Sequence, residues 1–282
     1  MYGFIVFSAG ACYGILSTVV KMAYAAGFTL ADVSGMQCFF GMLFLWMAAA
    51  LKKKPALSAC QILSLTSTGI PMALTTIFYY RSLETLSASL AVVFLFQSIW
   101  MGTAAESILA KKIPSPLKLL SILLCLLGTF LSAGFTEDSL SLRLSSGMIW
   151  GLLAALSYTA VILSSSLMGN SLPPAWKSAL MATGDTVLTF ILLPPPFLFT
   201  PSLWPSLLPY ALLLGLFGVA LPPFLLALGM PHVGPGLGSI LVASELPVSL
   251  LMALLILNES VSPIQWAGIL CILAGILSGN RK

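Results

Sequence analysis

Two carboxylates stand where carboxylates are rarely found. Glu245 and Asp185 lie near the middle of long apolar stretches. An ionisable group at the centre of an apolar span costs about 2.5 kcal/mol or more on insertion scales, so each must face protein or water and each is a candidate functional residue. A carboxyl group withdrawn from water can load and release a proton at ordinary pH, the exchange on which a proton-coupled carrier depends. It can also pair directly with an amine. Each has a structural reading beside the chemical one. Glu245 can hydrogen-bond across helices, to a serine or to a backbone group freed by Pro247 two residues on. Asp185, next to Gly184 and Thr186 and near Thr183, can mark a helix contact.

Other polar groups gather at the same depth. A shift of 147 residues places Ser98 over Glu245 and Gln97 over Ser244. Trp100, Tyr79, Tyr80, Tyr13 and Tyr158 can supply an aromatic wall with polar handles, which for a cationic cargo adds cation–π attraction. Ordinary packing or an interfacial belt is the plain alternative for any one tyrosine. Arg81 and Glu84, three apart, have the spacing of a local ion pair. Lys21 can snorkel to an interface, Glu106 precedes the bases Lys111 and Lys112 by about one turn, and His232 and Glu259 fall in turns. Cys12, Cys38, Cys60, Cys125 and Cys271 are scattered singly, without metal or redox spacing. With one histidine, no metal-ligand set and no phosphate loop, the chain offers no constellation for an enzyme, a metal or a cofactor. It shows no re-entrant filter or charged ring for a channel either.

The chain around these residues is 59% hydrophobic and 7% charged, too poor in charge to build a water-facing surface. Its solvent is lipid, and nucleic acid is excluded as a partner. A hydrocarbon core needs roughly 20 apolar residues per helical crossing. Apolar stretches between charge, proline and glycine give ten predicted spans, at 3–24, 31–51, 60–83, 87–110, 117–134, 147–168, 175–193, 207–230, 234–257 and 263–279. The run from Pro194 to Pro205 predicts a loop, since proline has no amide donor. The opening residues Met1 to Phe7 lack the bases of a cleavable signal and read as the first permanent span. The basic turns hold Lys52, Lys53 and Lys54, then Lys111, Lys112 and Lys118, with Arg281 and Lys282 at the end. The opposite turns carry Arg143 with Glu137 and Asp138. The positive-inside rule then puts both termini in the cytoplasm and predicts a multi-pass protein of the cell (inner) membrane.

The same shift also superposes Pro116 on Pro263 and Gly128 on Gly275. Two halves of five spans, 1–138 and 139–282, follow, and an odd number of spans per half predicts an inverted repeat. Carriers are commonly built in this way, because similar halves can rock about a central site. Close helix contacts are expected at Gly10 with Gly14, Gly147 with Gly151 and Gly234 with Gly238. Helix breaks are expected at Pro222, Pro223, Pro235 and Pro247, more of them in the second half.

The segments Ser244-Glu245-Leu246-Pro247-Val248, Leu257-Asn258-Glu259 and Trp266-Ala267-Gly268 with Gly275 resemble the EamA family of the drug/metabolite transporter superfamily, over nearly the whole chain. The family's Glu-Pro-Val appears here as Glu-Leu-Pro-Val, Asn258 replaces a usual glycine, and Lys111 and Lys112 stand where the first half's terminal Glu would fall. The resemblance implies an all-α membrane carrier of ten helices in two inverted repeats, exporting a small metabolite such as an amino acid or amine. Related members import choline or move sugars, so uptake or exchange of a small cationic or sugar-like solute is the alternative. The expected partners are a small-molecule substrate and the lipid bilayer, with the protein a monomer or a dimer.

Overall fold

The computed structural model describes residues 1–86, 88–132, 146–256 and 262–279. Ser87, Gly134, Glu137, Asp138, Arg143, Leu257, Asn258, Glu259, Arg281 and Lys282, which carry several of the expectations above, lie outside the described residues. Within them the chain is all helical, with no strand. The helices are α1 Tyr2–Tyr13, α2 Leu16–Ala25, α3 Leu30–Ala50, α4 Ala59–Ser67, α5 Ile70–Leu83, α6 Ala88–Leu95, α7 Ser98–Ala110 and α8 Pro116–Ser132. There follow α9 Ser146–Leu167, α10 Pro174–Leu192, α11 Trp204–Leu214, α12 Leu221–Val233, α13 Pro235–Val242, α14 Glu245–Ile256 and α15 Pro263–Gly279. Among the described residues seven stretches are long and apolar enough to cross a membrane: Tyr2–Ala25, Leu30–Ala50, Ala59–Leu83, Ala91–Ala110, Ser146–Leu167, Pro201–Val233 and Pro235–Ile256. The protein is a multi-pass membrane protein.

Side chains are arranged for lipid outside. Leu123, Leu156, Ile191, Leu255 and Leu270 are exposed, while Thr18, Gln37, Ser98, Ser165, Lys177 and Ser244 are buried. Several helix starts are capped reciprocally. The Thr29 hydroxyl accepts from the Asp32 amide (3.3 Å), and the Asp32 carboxylate accepts from the Thr29 amide (3.0 Å). Ser58 with Gln61 and Ser262 with Gln265 repeat the device.

Several long rods are broken near their middles. α1 gives way to α2 at 14–15, α4 to α5 at 68–69, α6 to α7 at 96–97 and α13 to α14 at 243–244. Pro71 and Pro247 stand just inside two of the restarting helices and remove the donors that would have bridged the gaps. Between α11 and α12 the backbone widens into a π-helical segment, Gly215–Ala220, immediately before Pro222 and Pro223. Pro235 begins a helix and breaks nothing. Among the described residues the first half therefore has three breaks and the second two, contrary to the expected concentration in the second half. The proline-rich connection forms two short 3₁₀ turns, Pro196–Leu198 and Pro201–Leu203. Phe197 is buried there under the Trp204 ring, whose Nε1 donates to the Phe197 carbonyl at 3.0 Å. His232 lies in the last turn of α12 rather than in a turn between spans, and its exposed ring stacks on Tyr2 with ring centroids 3.7 Å apart.

Some elements recur at a shift of 147 residues. α8 and α15 begin and end 147 residues apart, as do the breaks at 96–97 and 243–244. Equivalent residues meet face to face: the Cys125 thiol lies 3.9 Å from the Ile272 carbonyl, and the Cys38 thiol 3.6 Å from the Asp185 carboxylate. Ser121 donates to the Gly275 carbonyl at 2.5 Å, while Gly128 passes the Gly268 carbonyl so closely that a Cβ would lie 2.6 Å from it. Those pairings require α8 and α15 to run antiparallel.

Candidate functional site

Both sequence-derived carboxylates are held where broken helices approach closely. Gly10 on α1 and Gly14 at its C-terminal cap lie against the α13–α14 break. The Ser244 hydroxyl donates to the Phe7 carbonyl at 2.7 Å, and a Cβ on Gly14 would come within 2.5 Å of the Glu245 carbonyl. Asp185 on α10 is approached in the same manner by the α4–α5 break, where Gly69 contacts the Asp185 amide and Gly184 the Thr66 carbonyl. Only glycine admits such contact without displacing backbone.

The two carboxylates line one cavity of about 70 Å³. Its lining includes six of the residues singled out from sequence, Tyr13, Tyr79, Tyr80, Tyr158, Asp185 and Glu245. Tyr13 and Tyr158 meet edge to face at 6.0 Å. Tyr80 donates to the Gln37 side chain at 2.7 Å. Asp185 accepts long contacts from Cys38 (3.6 Å) and Thr189 (3.5 Å). Glu245 is 6% exposed, and among the described residues its carboxylate has no hydrogen-bond or ion-pair partner. Tyr13, Tyr79 and Tyr158 all lie within its electrostatic reach.

Four other singled-out residues are not part of this lining. Gln97 donates to the Val93 carbonyl (3.1 Å) and accepts from Trp100 Nε1 (3.0 Å), and Trp100 faces outward at 43% exposure. Ser98 is buried beside the α6–α7 break, and Ser244 is committed to the α1 backbone. The first half's contribution at this depth is Leu95, so the two breaks are equivalent in backbone and different in chemistry.

A model of the EamA-like transporter family matches residues 1–134 and 145–279. The chain belongs to the EamA-like transporter family. That family is part of the drug/metabolite transporter superfamily. The chain is also similar to an uncharacterized transporter, YxxF, of Bacillus subtilis (strain 168), at 27% identity over 160 residues, 55% of this chain and 51% of that one. The chain thus spans about half the length of the curated relative it matches. A solved crystal structure of a protein 16% identical superposes with a TM-score of 0.77 over 99% of this chain and 97% of that one, which shows the fold alone.

In this EamA-family chain several lining groups escaped the sequence reading. Gln37, Ser17, Thr75 and Thr76 bring amide and hydroxyl groups into the cavity, and Gly218 of the π segment leaves room for the Gln37 amide, 2.8 Å from where a Cβ would lie. Neutral polar residues are common within spans, so nothing in their type marked them; Gly218, just ahead of Pro222 and Pro223, was the one available signal. Among the described residues none that line the cavity is basic. The cavity therefore offers carboxyl, hydroxyl and aromatic groups together, a set suited to a solute that carries positive charge and hydrogen-bond donors. The remaining charged pairs sit elsewhere. Arg81 and Glu84 pair at 3.3 Å on the surface, as their spacing predicts, and Glu106 pairs with Lys118 of α8 rather than with Lys111 or Lys112.

Proposed function

We propose that the protein is a secondary transporter that exports a small metabolite carrying an amino group, an amine or an amino acid, across the cell (inner) membrane by alternating access. The observation that carries this reading is Glu245, a buried carboxylate that has no partner among the described residues, at a helix break inside a cavity with no basic lining residue among them. A carboxylate so placed is complementary to an ammonium group, and the surrounding tyrosines add aromatic faces. Transport, rather than catalysis, accounts for its position between two halves of similar build.

The same reading divides the chain at 138 and 139 into two inverted five-helix repeats, ten spans in all, with both termini in the cytoplasm. The antiparallel packing of the equivalent helices α8 and α15 supports inversion, because a twofold axis that relates antiparallel helices runs across them and would lie in the membrane plane. In this scheme Glu245 exchanges cargo for a proton, with Asp185 as the second proton-coupling candidate.

Proteoliposomes loaded with labelled amines and amino acids test the proposal. Efflux that rises with an imposed pH gradient in the wild type, and is lost in Glu245→Gln, is the expected result. Full pH-driven efflux in Glu245→Gln would remove that residue from the coupling step, and no efflux of any amino compound would overturn the cargo.

A further inference from the structure

The turn between α12 and α13 is held from two sides. On one, the His232 ring stacks on Tyr2, and Gly229 passes so close to Val6 that a Cβ would lie 2.6 Å from its Cγ2. On the other lies the ion pair of Glu106 on α7 with Lys118 on α8, its two side chains only 28% and 21% exposed. A Cβ on Gly236 would fall 2.7 Å from Lys118 Nζ and 3.0 Å from Glu106 Cδ, and one on Gly234, whose φ is +83°, 3.1 Å from Glu106 Oε1. Glycine at both places lets the turn lie directly on the pair.

Glu106 has two partners there. One is Lys118. The other is the start of α13, where Gly238 is the first residue whose amide finds a helical acceptor, the Gly234 carbonyl at 2.9 Å. Pro235 has no amide hydrogen, and the Gly236 and Leu237 amides are left without an acceptor in their own helix, so the carboxylate lies against the positive end of α13. Glu106 thus joins a base of the first half to a helix of the second. The place is remote from the cavity. Leu95 and Glu245 line the cavity, and Glu106 and Gly236 lie roughly 15 Å further along the same rods at about 1.5 Å per residue. The 147-residue shift carries Glu106 to Ala253 and Lys118 to Gln265, whose amide accepts from the Ser262 amide at 2.8 Å and donates to the Ser132 carbonyl at 3.3 Å. The ion pair is therefore not repeated at its equivalent positions, and an exchange of packing between the halves breaks it without forming a second one there.

We propose, building on the alternating-access reading above, that Glu106 is the centre of a latch: it clamps the α12–α13 turn onto α7 and α8, shuts the cavity on that face, and must release for the cavity to open there. A contact made in only one of two states biases their equilibrium by its own free energy. Glu106→Gln removes both attractions and leaves the Lys118 ammonium against the positive end of α13, whereas Lys118→Gln removes one and leaves the carboxylate where the helix favours it. Of the two, Glu106→Gln is the stronger release.

Both substitutions are compared in a Thr76→Cys, Cys60→Ser background, which places a thiol in the cavity. A membrane-impermeant maleimide is added to intact cells and to inverted vesicles, and labelling is read on the peptide that carries position 76. The ratio of the two rates measures how the cavity divides its time between the faces. Glu106→Gln is expected to raise the share of labelling from the latched face by at least about threefold, and Lys118→Gln by less. Labelling from both faces with a ratio that Glu106→Gln leaves unchanged overturns the latch and keeps alternating access. Equal shifts in the two variants overturn the clamp on α13. Labelling from one face alone in all three proteins overturns alternating access and the latch together. Should Glu106→Gln not fold, Glu106→Asp, which shortens the reach of the carboxylate, takes its place under the same reading.

Discussion

Lys177 brings an amine head into the interior of an apolar protein, and its partners explain how. It sits in the first turns of α10 at 1% exposure and donates to the Ser165 carbonyl at 2.7 Å and to Asn170 Oδ1 at 3.0 Å. Ser165 belongs to the last turn of α9, where carbonyls lack helical partners and a basic group is favoured. Lys177 is therefore a helix cap supplied by the next helix, and Gly169, at φ +65°, turns the chain so that it can reach. Lys177→Met keeps most of the side-chain length and removes the donors, so the buried Ser165 carbonyl and the exposed Asn170 Oδ1 lose their partner. About 2 kcal/mol of stability should be lost, read as a fall in the melting temperature in detergent, while amine affinity in the cavity stays as in the wild type. The contrast with Glu245 shows what single residues reveal in sequence. Both are ionisable groups in apolar surroundings, but Glu245 lies mid-stretch and announces itself, whereas Lys177 follows Pro173 and Pro174 and passes for a loop-side base. Gln97 and Trp100 misled for the opposite reason: their depth was legible, while the helix face they occupy is set by packing at the 96–97 break.

The breaks carry the site at the scale of elements. Glu245 is the first residue of α14, so the chain redirects just where it presents the carboxylate. Proline made the break at 243–244 legible, since Pro247 deprives the preceding turn of a donor, whereas the break at 68–69, just ahead of Pro71, was not among those expected. The break at 96–97 has no proline and is evident only from its equivalence to 243–244 under the 147-residue shift. The spacing of Gly10 and Gly14 announced a close contact without naming its partner, which is the α13–α14 break. Gly14→Ala tests that seat directly. The added methyl meets the Glu245 carbonyl at 2.5 Å and the Val248 side chain at 2.7 Å, so α1 or α14 must move. Amine transport should fall by about tenfold or more, in line with the about 1–3 kcal/mol that overpacking costs. Ala substituted at Gly27, where a Cβ would meet nothing within 4 Å, provides the comparison. Its positive φ of 90° charges only the local turn, so transport should be kept. Equal effects of the two substitutions would show that α1 does not position the site.

At the scale of the whole molecule the cavity lies off centre. Ser17, Thr75, Thr76, Tyr79 and Tyr80 come from the parts of their rods nearest the 26–29 and 84–86 turns. The other ends of the rods are fastened. Tyr2 stacks on His232, Gly229 packs on Val6, and Glu106 with Lys118 lies against Gly236 at the start of α13. If the termini lie in the cytoplasm, as proposed above from the basic turns, the fastened side would be cytoplasmic and the cavity would point outward. Two cysteines test this from opposite faces. Cys60 is native, exposed and at the start of α4, just past Lys52, Lys53 and Lys54. Thr76→Cys, introduced with Cys60 replaced by serine, places a thiol in the cavity. A membrane-impermeant maleimide added to intact cells should label the cysteine at position 76 and leave Cys60 untouched, whereas opened membranes should expose Cys60. Labelling of Cys60 in intact cells would invert the topology. Labelling at position 76 only in opened membranes, with Cys60 protected as expected, would keep the topology and show that the protein rests with its cavity open to the cytoplasm. That reversal is the exchange that two antiparallel, equivalent halves would make accessible, because each half can adopt the packing of the other.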